Sequence, residues 1–330
     1  MQKILVTGYG GFLGAEVTRQ LVAAGYRVRG LARGTYPELQ SLGIETLRGD
    51  ISHRQTALSA CAGCDAIVHT AAKAGVWGAW REYYRINTQA TSHLLEGAHV
   101  HGLAAFVHCS SPSVTFAGQP QSGVDETVPY PDRWLCAYPH SKALAEQAVL
   151  SAAGVGRVRT CALRPHLIWG AGDPHLFPRV IQRARQGRLR RVGSGTNLID
   201  VVHVSGAARA HVQALEKLLA GDSQLNGQAL FLSDGAPVEC WQWICRILET
   251  AAVPVPRRAI SYAAAYRLGG LLEAAYAALR IRHEPAMTRF VAAQLAMDHY
   301  FDIGRARRLL DYQPCVDRDA ELARCAVLQK

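Results

Sequence analysis

The chain is 330 residues long, 49% apolar and 19% charged, which is ordinary for a soluble globular protein and ample for a buried core. Lys and Arg number 36 against 26 Asp and Glu, a formal net charge of +10 that favours anionic ligands or surfaces. No zinc-finger spacing and no basic run interleaved with aromatics accompanies that charge, so nucleic acid is not an expected partner, and no apolar stretch reaches the roughly 18 residues of a membrane span.

The first strand is expected at 3–6, so no signal peptide is expected and the protein is read as cytoplasmic, with peripheral contact with a membrane left open. Thr7-Gly8-Tyr9-Gly10-Gly11-Phe12-Leu13-Gly14 follows directly. Its glycines at 8, 11 and 14 fall at a strand-to-helix turn, where the missing Cβ atoms let the backbone approach a pyrophosphate. The helix expected at 12–24 then offers N–H groups and a positive dipole end. A Gly-rich turn that only joins a strand to a helix is the plain alternative. The place of the motif in the first strand–helix unit favours dinucleotide binding.

Further strands are expected at 26–31, 44–47, 66–69, 105–109 and 158–163, with helices at 54–62, 84–101 and 138–153. Such alternation means parallel pairing with right-handed crossovers, and ligands bind at the carboxyl ends of the strands. Nine cysteines, an odd number, fit free thiols in a reducing compartment. Cys61-Ala62-Gly63-Cys64 sits at a helix end without a second pair or a His cluster, so it reads as structural and no metal site is expected.

Regular alternation stops after Arg164-Pro165. A basic helix is expected at 176–186, two strands returning to the sheet at 198–204 and 229–232, and helices at 239–250, 263–279, 286–296 and 304–310. The expected fold is α/β: a Rossmann-type doubly wound parallel sheet over 1–165, with return elements near 198–236, and a smaller, mostly helical, discontinuous substrate-binding cap over 166–330.

Tyr138-Pro139-His140-Ser141-Lys142 places a tyrosine and a lysine four apart at the start of a helix, on one face. A tyrosine is a poor acid–base group at its ordinary pKa of about 10. A nearby ammonium favours the phenolate and can also bond a ribose. Cys109-Ser110-Ser111 closes a strand and adds hydroxyls.

Together these residues resemble the extended short-chain dehydrogenase/reductases, over essentially the whole chain. The run from Tyr138 to Glu146 is similar to the 3β-hydroxysteroid dehydrogenase branch. So are His69-Thr70-Ala71-Ala72, Leu163-Arg164-Pro165 with Trp169-Gly170, and Asp200-Val201-Val202-His203. More closely, the segment from Ala72 to Gly78, Ser111-Pro112-Ser113-Val114 and Thr288-Arg289-Phe290 resemble bacterial 2-alkyl-3-oxoalkanoate reductases of long-chain olefin synthesis. The resemblance implies that Tyr138 is the general acid in reduction, Lys142 its activator and Ser111 the group that holds the substrate carbonyl, with Ser110 and Ser113 as neighbours. It also implies that Asn87 braces the active-site backbone, where a plain polar helix residue is the alternative. Cofactor contacts are expected from Gly8, Gly11, Phe12, Leu13, Gly14, Arg33, Asp50, Ile51, Ala71, Ala72, Tyr138, Lys142 and Pro165.

Cofactor choice turns on Gly30-Leu31-Ala32-Arg33, where no acid stands ready for a ribose 2′-hydroxyl. Arg33 suits a 2′-phosphate, hence NADPH/NADP+, unless it is only an exposed loop arginine; Glu38 keeps NADH open. Pro112 and Ser113 stand where related dehydratases carry an acidic pair, which disfavours sugar dehydration. The apolar segment 261–276 reads as core, an acyl-chain tunnel or a membrane-facing helix. Arg183, Arg185, Arg188, Arg190 and Arg191 read as a solvated face or a dock for an acidic partner. Lys73 reads as a surface lysine or a substrate-carboxylate ligand, near Trp77 and Trp80.

The implied function is NADPH-dependent reduction of a long-chain 2-alkyl-3-oxo acid. A 3β-hydroxysteroid or sterol dehydrogenase, a nucleotide-sugar epimerase and a non-catalytic NADP-binding sensor are the alternatives, the last disfavoured by the Tyr–Lys pair. The expected partner is a lipid-like small molecule, with a homodimer or an assembly with other pathway enzymes left open.

Overall fold

Ile4-Leu5-Val6 and Ala66-Ile67-Val68 are apolar at consecutive positions, so they suit strands covered on both faces, and all six residues are buried. The computed structural model, which describes residues 1–314 and 316–327, makes them the centre of a seven-stranded parallel sheet. Its strands are β1 (Lys3–Thr7), β2 (Arg27–Ala32), β3 (Glu45–Arg48), β4 (Ala66–His69), β5 (Ala105–Cys109), β6 (Arg159–Pro165) and β7 (Gln228–Leu232). They run in the order β7-β6-β5-β4-β1-β2-β3. Connections from β1 leave toward β2 on one side and, after β3, resume at β4 on the other, so a crevice opens at the carboxyl ends of β1 and β4.

Helices α1 (Phe12–Ala23), α2 (Arg54–Cys61), α3 (Ala90–Val100) and α4 (Ala137–Ser151) connect these strands. Leu5, Leu31, Ile67 and Phe106 pack under α2 and α3; Ile4, Val6, Val68 and Val107 pack on the opposite face under α1. The helix expected at 84–101 begins earlier, at Trp80, and its Tyr84–Gln89 turn is wound as a π-helix before α3. Cys61 and Cys64 are buried, and the Cys61 thiol, pushed up to about 12 by burial, donates to the Ala57 carbonyl.

The expectation for 198–204 needs correction. Leu198–Ile199 pairs with Val238–Glu239 and His299, Val202–His203 pairs with Ile168–Trp169, and neither joins the main sheet. The break has a local cause. Buried Asp200 accepts the Phe301 N–H at 2.8 Å, and its own N–H bonds the His299 carbonyl, so the chain bends between the two short strands. Val204 then begins a helix that the sequence reading missed. After α5 (Leu176–Arg185), this α6 (Val204–Leu219) covers the same sheet face as α1, with Ala207, Ala214 and Leu215 in the core.

The remaining chain adds α7 (Cys240–Thr250), α8 (Tyr262–Ala278) and α9 (Arg289–Ala296). α5 and α7 enclose Trp169, Phe177 and Trp243. α9 starts later than the expected 286 because Thr288 caps it, its hydroxyl accepting the Val291 N–H at 3.1 Å. α8 presses on this cap: a Cβ at Gly269 would lie 2.6 Å from the Thr288 carbonyl carbon.

Candidate active site

At the end of β1 the chain turns through Gly8, with φ of +71°, and a Cβ there would sit 2.8 Å from Ala71 Cα. A Cβ at Gly14 would sit 2.1 Å from the Gly8 carbonyl oxygen, so α1 packs directly on the turn. Gly11 caps α1 without a side-chain acceptor, and the first turn carries no acid. Its N–H groups therefore remain for a ligand. Gly11, Phe12, Leu13 and Gly14 all border one cavity of about 1200 Å³ at the carboxyl ends of the strands. An uncapped helix start of this form, reached over residues without Cβ, fits a dinucleotide pyrophosphate.

The same cavity is bordered by Arg33, Gly34 and Tyr36 beyond β2, Asp50 and Ile51 beyond β3, Ala71 and Ala72 beyond β4, and Pro165 at the end of β6. Arg33 is exposed and makes no ion pair among the described residues, whereas Glu38 does not border the cavity. Burial opposes ionisation of Asp50, but hydrogen bonds from Ser52 and the charge of Arg85 outweigh it and hold the carboxyl below its ordinary range. Among the described residues no group of three or more His, Cys, Asp or Glu side chains is placed to hold a metal ion.

Tyr138, Lys142, Ser110, Ser111 and Ser113 meet at the centre. Burial pushes the Tyr138 phenol well above its ordinary value, Cys109 adds to this, and a hydrogen bond with Ser111 pulls it back. The Ser111 hydroxyl also lies 2.9 Å from that of Ser113. Lys142 is almost fully buried, and burial lowers its ammonium to about 8. Its hydrogen bonds run to β5, to the Cys109 carbonyl at 2.6 Å and His108 Nε2 at 3.1 Å; with three N–H donors, it keeps one for the cavity it borders. A phenol beside a hydroxyl and an ammonium is equipped to deliver a proton to a carbonyl oxygen.

Asn87 stands behind these groups, in the π-helical turn, and does not border the cavity. Its Oδ1 accepts the Lys73 N–H at 2.7 Å, and its Nδ2 donates to the Lys73 carbonyl at 3.0 Å and to Ser141 Oγ at 2.9 Å. It thereby ties the loop after β4 to α4.

Several neighbours could not be found from local sequence. His108 lies under Lys142, and His69 lies 5.2 Å from it between ring centroids. Burial keeps both neutral, lowering His69 to about 3. His166 borders the cavity and bonds His299 at 2.6 Å. Arg179 of α5 borders it too and pairs with Glu284, which also holds Arg183. Arg185, Arg188, Arg190 and Arg191 are exposed. Lys73 is turned away, paired with Glu82 at 3.1 Å, and does not border the cavity. Trp77 instead donates to the Ile281 carbonyl, and Trp80 and Trp134 sandwich His140 at 4.4 and 4.3 Å.

Known proteins resemble this chain over most of its length. The 3-beta hydroxysteroid dehydrogenase/isomerase family description matches residues 5–260. A protein of Stenotrophomonas maltophilia named 2-alkyl-3-oxoalkanoate reductase is 43% identical over 98% of this chain and 98% of its own length. A protein of the same name from Shewanella oneidensis is 40% identical over 97% of this chain and 84% of its own. Among solved structures, DesIV, a dTDP-glucose 4,6-dehydratase from Streptomyces venezuelae with NAD and TYD bound, superimposes with a TM-score of 0.76 at 22% identity. That match covers 99% of this chain and 96% of the other, and it speaks for the fold alone. The chain belongs to the 3-beta hydroxysteroid dehydrogenase/isomerase family of NAD(P)-dependent oxidoreductases, in its extended short-chain dehydrogenase/reductase fold.

Proposed function

We propose that this protein is an NADPH-dependent reductase that converts a long-chain 2-alkyl-3-oxoalkanoic acid to the 2-alkyl-3-hydroxyalkanoic acid, a step of olefin or hydrocarbon synthesis. The observation that carries the reading is the convergence of the glycine turn, Ser111, Tyr138 and Lys142 on one large cavity, in a chain 40–43% identical to relatives of that name. When bound, the nicotinamide supplies the hydride that reaches the keto carbon. Ser111 holds the keto oxygen, and Tyr138 gives it a proton, leaving the hydroxyl. Lys142 bonds the nicotinamide ribose with its remaining N–H and favours the phenolate left behind. Val76, Leu176 and Phe290 give the substrate side an apolar wall suited to alkyl chains. Arg179, on the same side, keeps guanidinium N–H groups beyond its pair with Glu284 for a substrate carboxylate.

The test is a screen of NADPH and NADH oxidation with 2-alkyl-3-oxo acids, ketosteroids and UDP-sugars. Steady NADPH oxidation with the oxo acid is expected. Turnover of ketosteroids alone would move the function to the steroid branch that gives the family its name. Fresh protein carrying a tightly held cofactor and active only on UDP-sugars would make it an epimerase.

Cofactor preference rests on Arg33, whose guanidinium has no ion pair among the described residues and offers a bidentate contact to a 2′-phosphate. At this exposed position a preference of about tenfold for NADPH is expected, where 1.4 kcal/mol is roughly a factor of ten. Arg33→Ala should weaken NADPH binding by about that factor and leave NADH nearly unchanged. Equal losses for both cofactors, measured by fluorescence titration, would show that Arg33 only supports its loop.

A further inference from the structure

α8 is built as if inverted. Its inward side is narrow and small, with Ala265 and Gly269 against α9, and its one acid, Glu273, is spent on Arg289. Tyr276 leans on Trp77, which fixes the far end. The outward side is apolar. Ala264, Leu268, Leu271, Ala275 and Ala278 recur at helical spacing along about 21 Å and are exposed; Leu271 and the adjoining Leu279 are each 71% exposed. Among the described residues, nothing covers that stripe.

Positive charge gathers at both ends of it: exposed Arg280 and Arg282 follow its last turn, and a larger group stands before its first. The strand Arg191–Val192 pairs with Ala259–Ile260 just before α8. This brings Arg188, Arg190 and Arg191 beside Arg257 and Arg258, all exposed, and Arg267 continues the group along the helix. Glu273 is the only acid in 185–192 or 254–283. A polyanion alone would match the arginines and leave the leucines in water. A surface with anionic headgroups above apolar chains satisfies both.

We propose that the outward face of α8 and these arginines dock the protein on an anionic lipid bilayer, the helix lying in the plane of the interface. No helix among the described residues is long and apolar enough to cross a membrane. The docked unit also bounds the cavity, because Phe290 and Gln294 of α9, directly under α8, line it. A lipid-like substrate then enters from the surface that holds its alkyl chains. Docking itself does not depend on the substrate reading and is measured without substrate.

The experiment is flotation of the full chain with vesicles of phosphatidylcholine alone or with about one-third phosphatidylglycerol, over a salt series. Wild type is expected to float with the anionic vesicles at least about tenfold better than with the neutral ones, and to release as salt rises. Leu268→Glu/Leu271→Glu should lower partitioning by about 100-fold with an unchanged circular dichroism spectrum and melting temperature, and Leu271→Ser should fall between. Arg257→Ser/Arg258→Ser/Arg267→Ser should lose the preference for anionic vesicles. Wild type that does not float, or a double glutamate variant that floats like wild type, overturns the proposal. So does a wild-type dimer that the glutamates split into monomers without any vesicle dependence, which would assign the face to a second copy of the chain.

Discussion

Tyr138→Phe is expected to lower kcat for the oxo acid by about 10³-fold while NADPH binds within about twofold of wild type. The substitution removes one oxygen from a ring that is otherwise held, by burial and by contact with Tyr83 at 6.5 Å between centroids, so the cavity keeps its shape. What disappears is the proposed proton donor. Burial raises that phenol well above its ordinary value and so keeps it protonated over the working pH range. Stopped-flow binding and steady-state turnover on the same preparation separate the two effects. A variant with near-normal turnover would transfer proton delivery to another group and end the assignment of Tyr138.

The largest expected stability effect lies one turn further along α4. Glu146 is fully buried, accepts from Arg164 on β6 at 2.6–3.2 Å, and takes the Tyr130 hydroxyl at 2.5 Å. The pair joins the helix that carries Tyr138 and Lys142 to the strand that ends in Pro165. Glu146→Ala leaves a buried guanidinium without its counter-ion, which costs about 3–5 kcal/mol. At about 2 °C per kcal/mol for a chain of this size, melting should fall by about 6–10 °C. The double variant Glu146→Leu/Arg164→Met should recover most of that loss, because the penalty belongs to the orphaned charge rather than to the missing bond. If both variants melt alike, the pair acts by shape alone.

Much of this was legible in the sequence because it is local. The strands from β1 to β6 announce themselves as short apolar runs between helical patterns, and the glycine turn and Tyr138–Lys142 spacing each lie within eight residues. The reading failed where the decisive partner is distant. Asp200-Val201-Val202-His203-Val204 is β-branched and reads as a strand, yet Asp200 bonds Phe301 and the chain bends. The helix from Val204 is capped by a histidine, whose Nδ1 faces the Ser205 N–H, and the residue types that usually announce a helix start do not include it. His108, His166 and Arg179 reach the site from separate strands and helices, so no spacing marks them. Lys73, read as a surface lysine or a carboxylate ligand, is close in sequence to the site, but Glu82 holds it away from the cavity.

The two ends of the cofactor crevice differ in how freely they can change over evolutionary time. At the turn, Gly8, Gly14 and Ala71 touch backbone to backbone, and a single added methyl would collide with main-chain atoms that have nowhere to go. That end is inherited whole or lost. Beyond β2, Arg33 stands on the surface with no ion pair among the described residues, and a Cβ at Gly34 would first meet the Tyr36 ring. If Arg33 reads the 2′-phosphate as proposed, descendants of this chain can exchange one nicotinamide dinucleotide for the other through a few exposed substitutions, with no repacking beneath them.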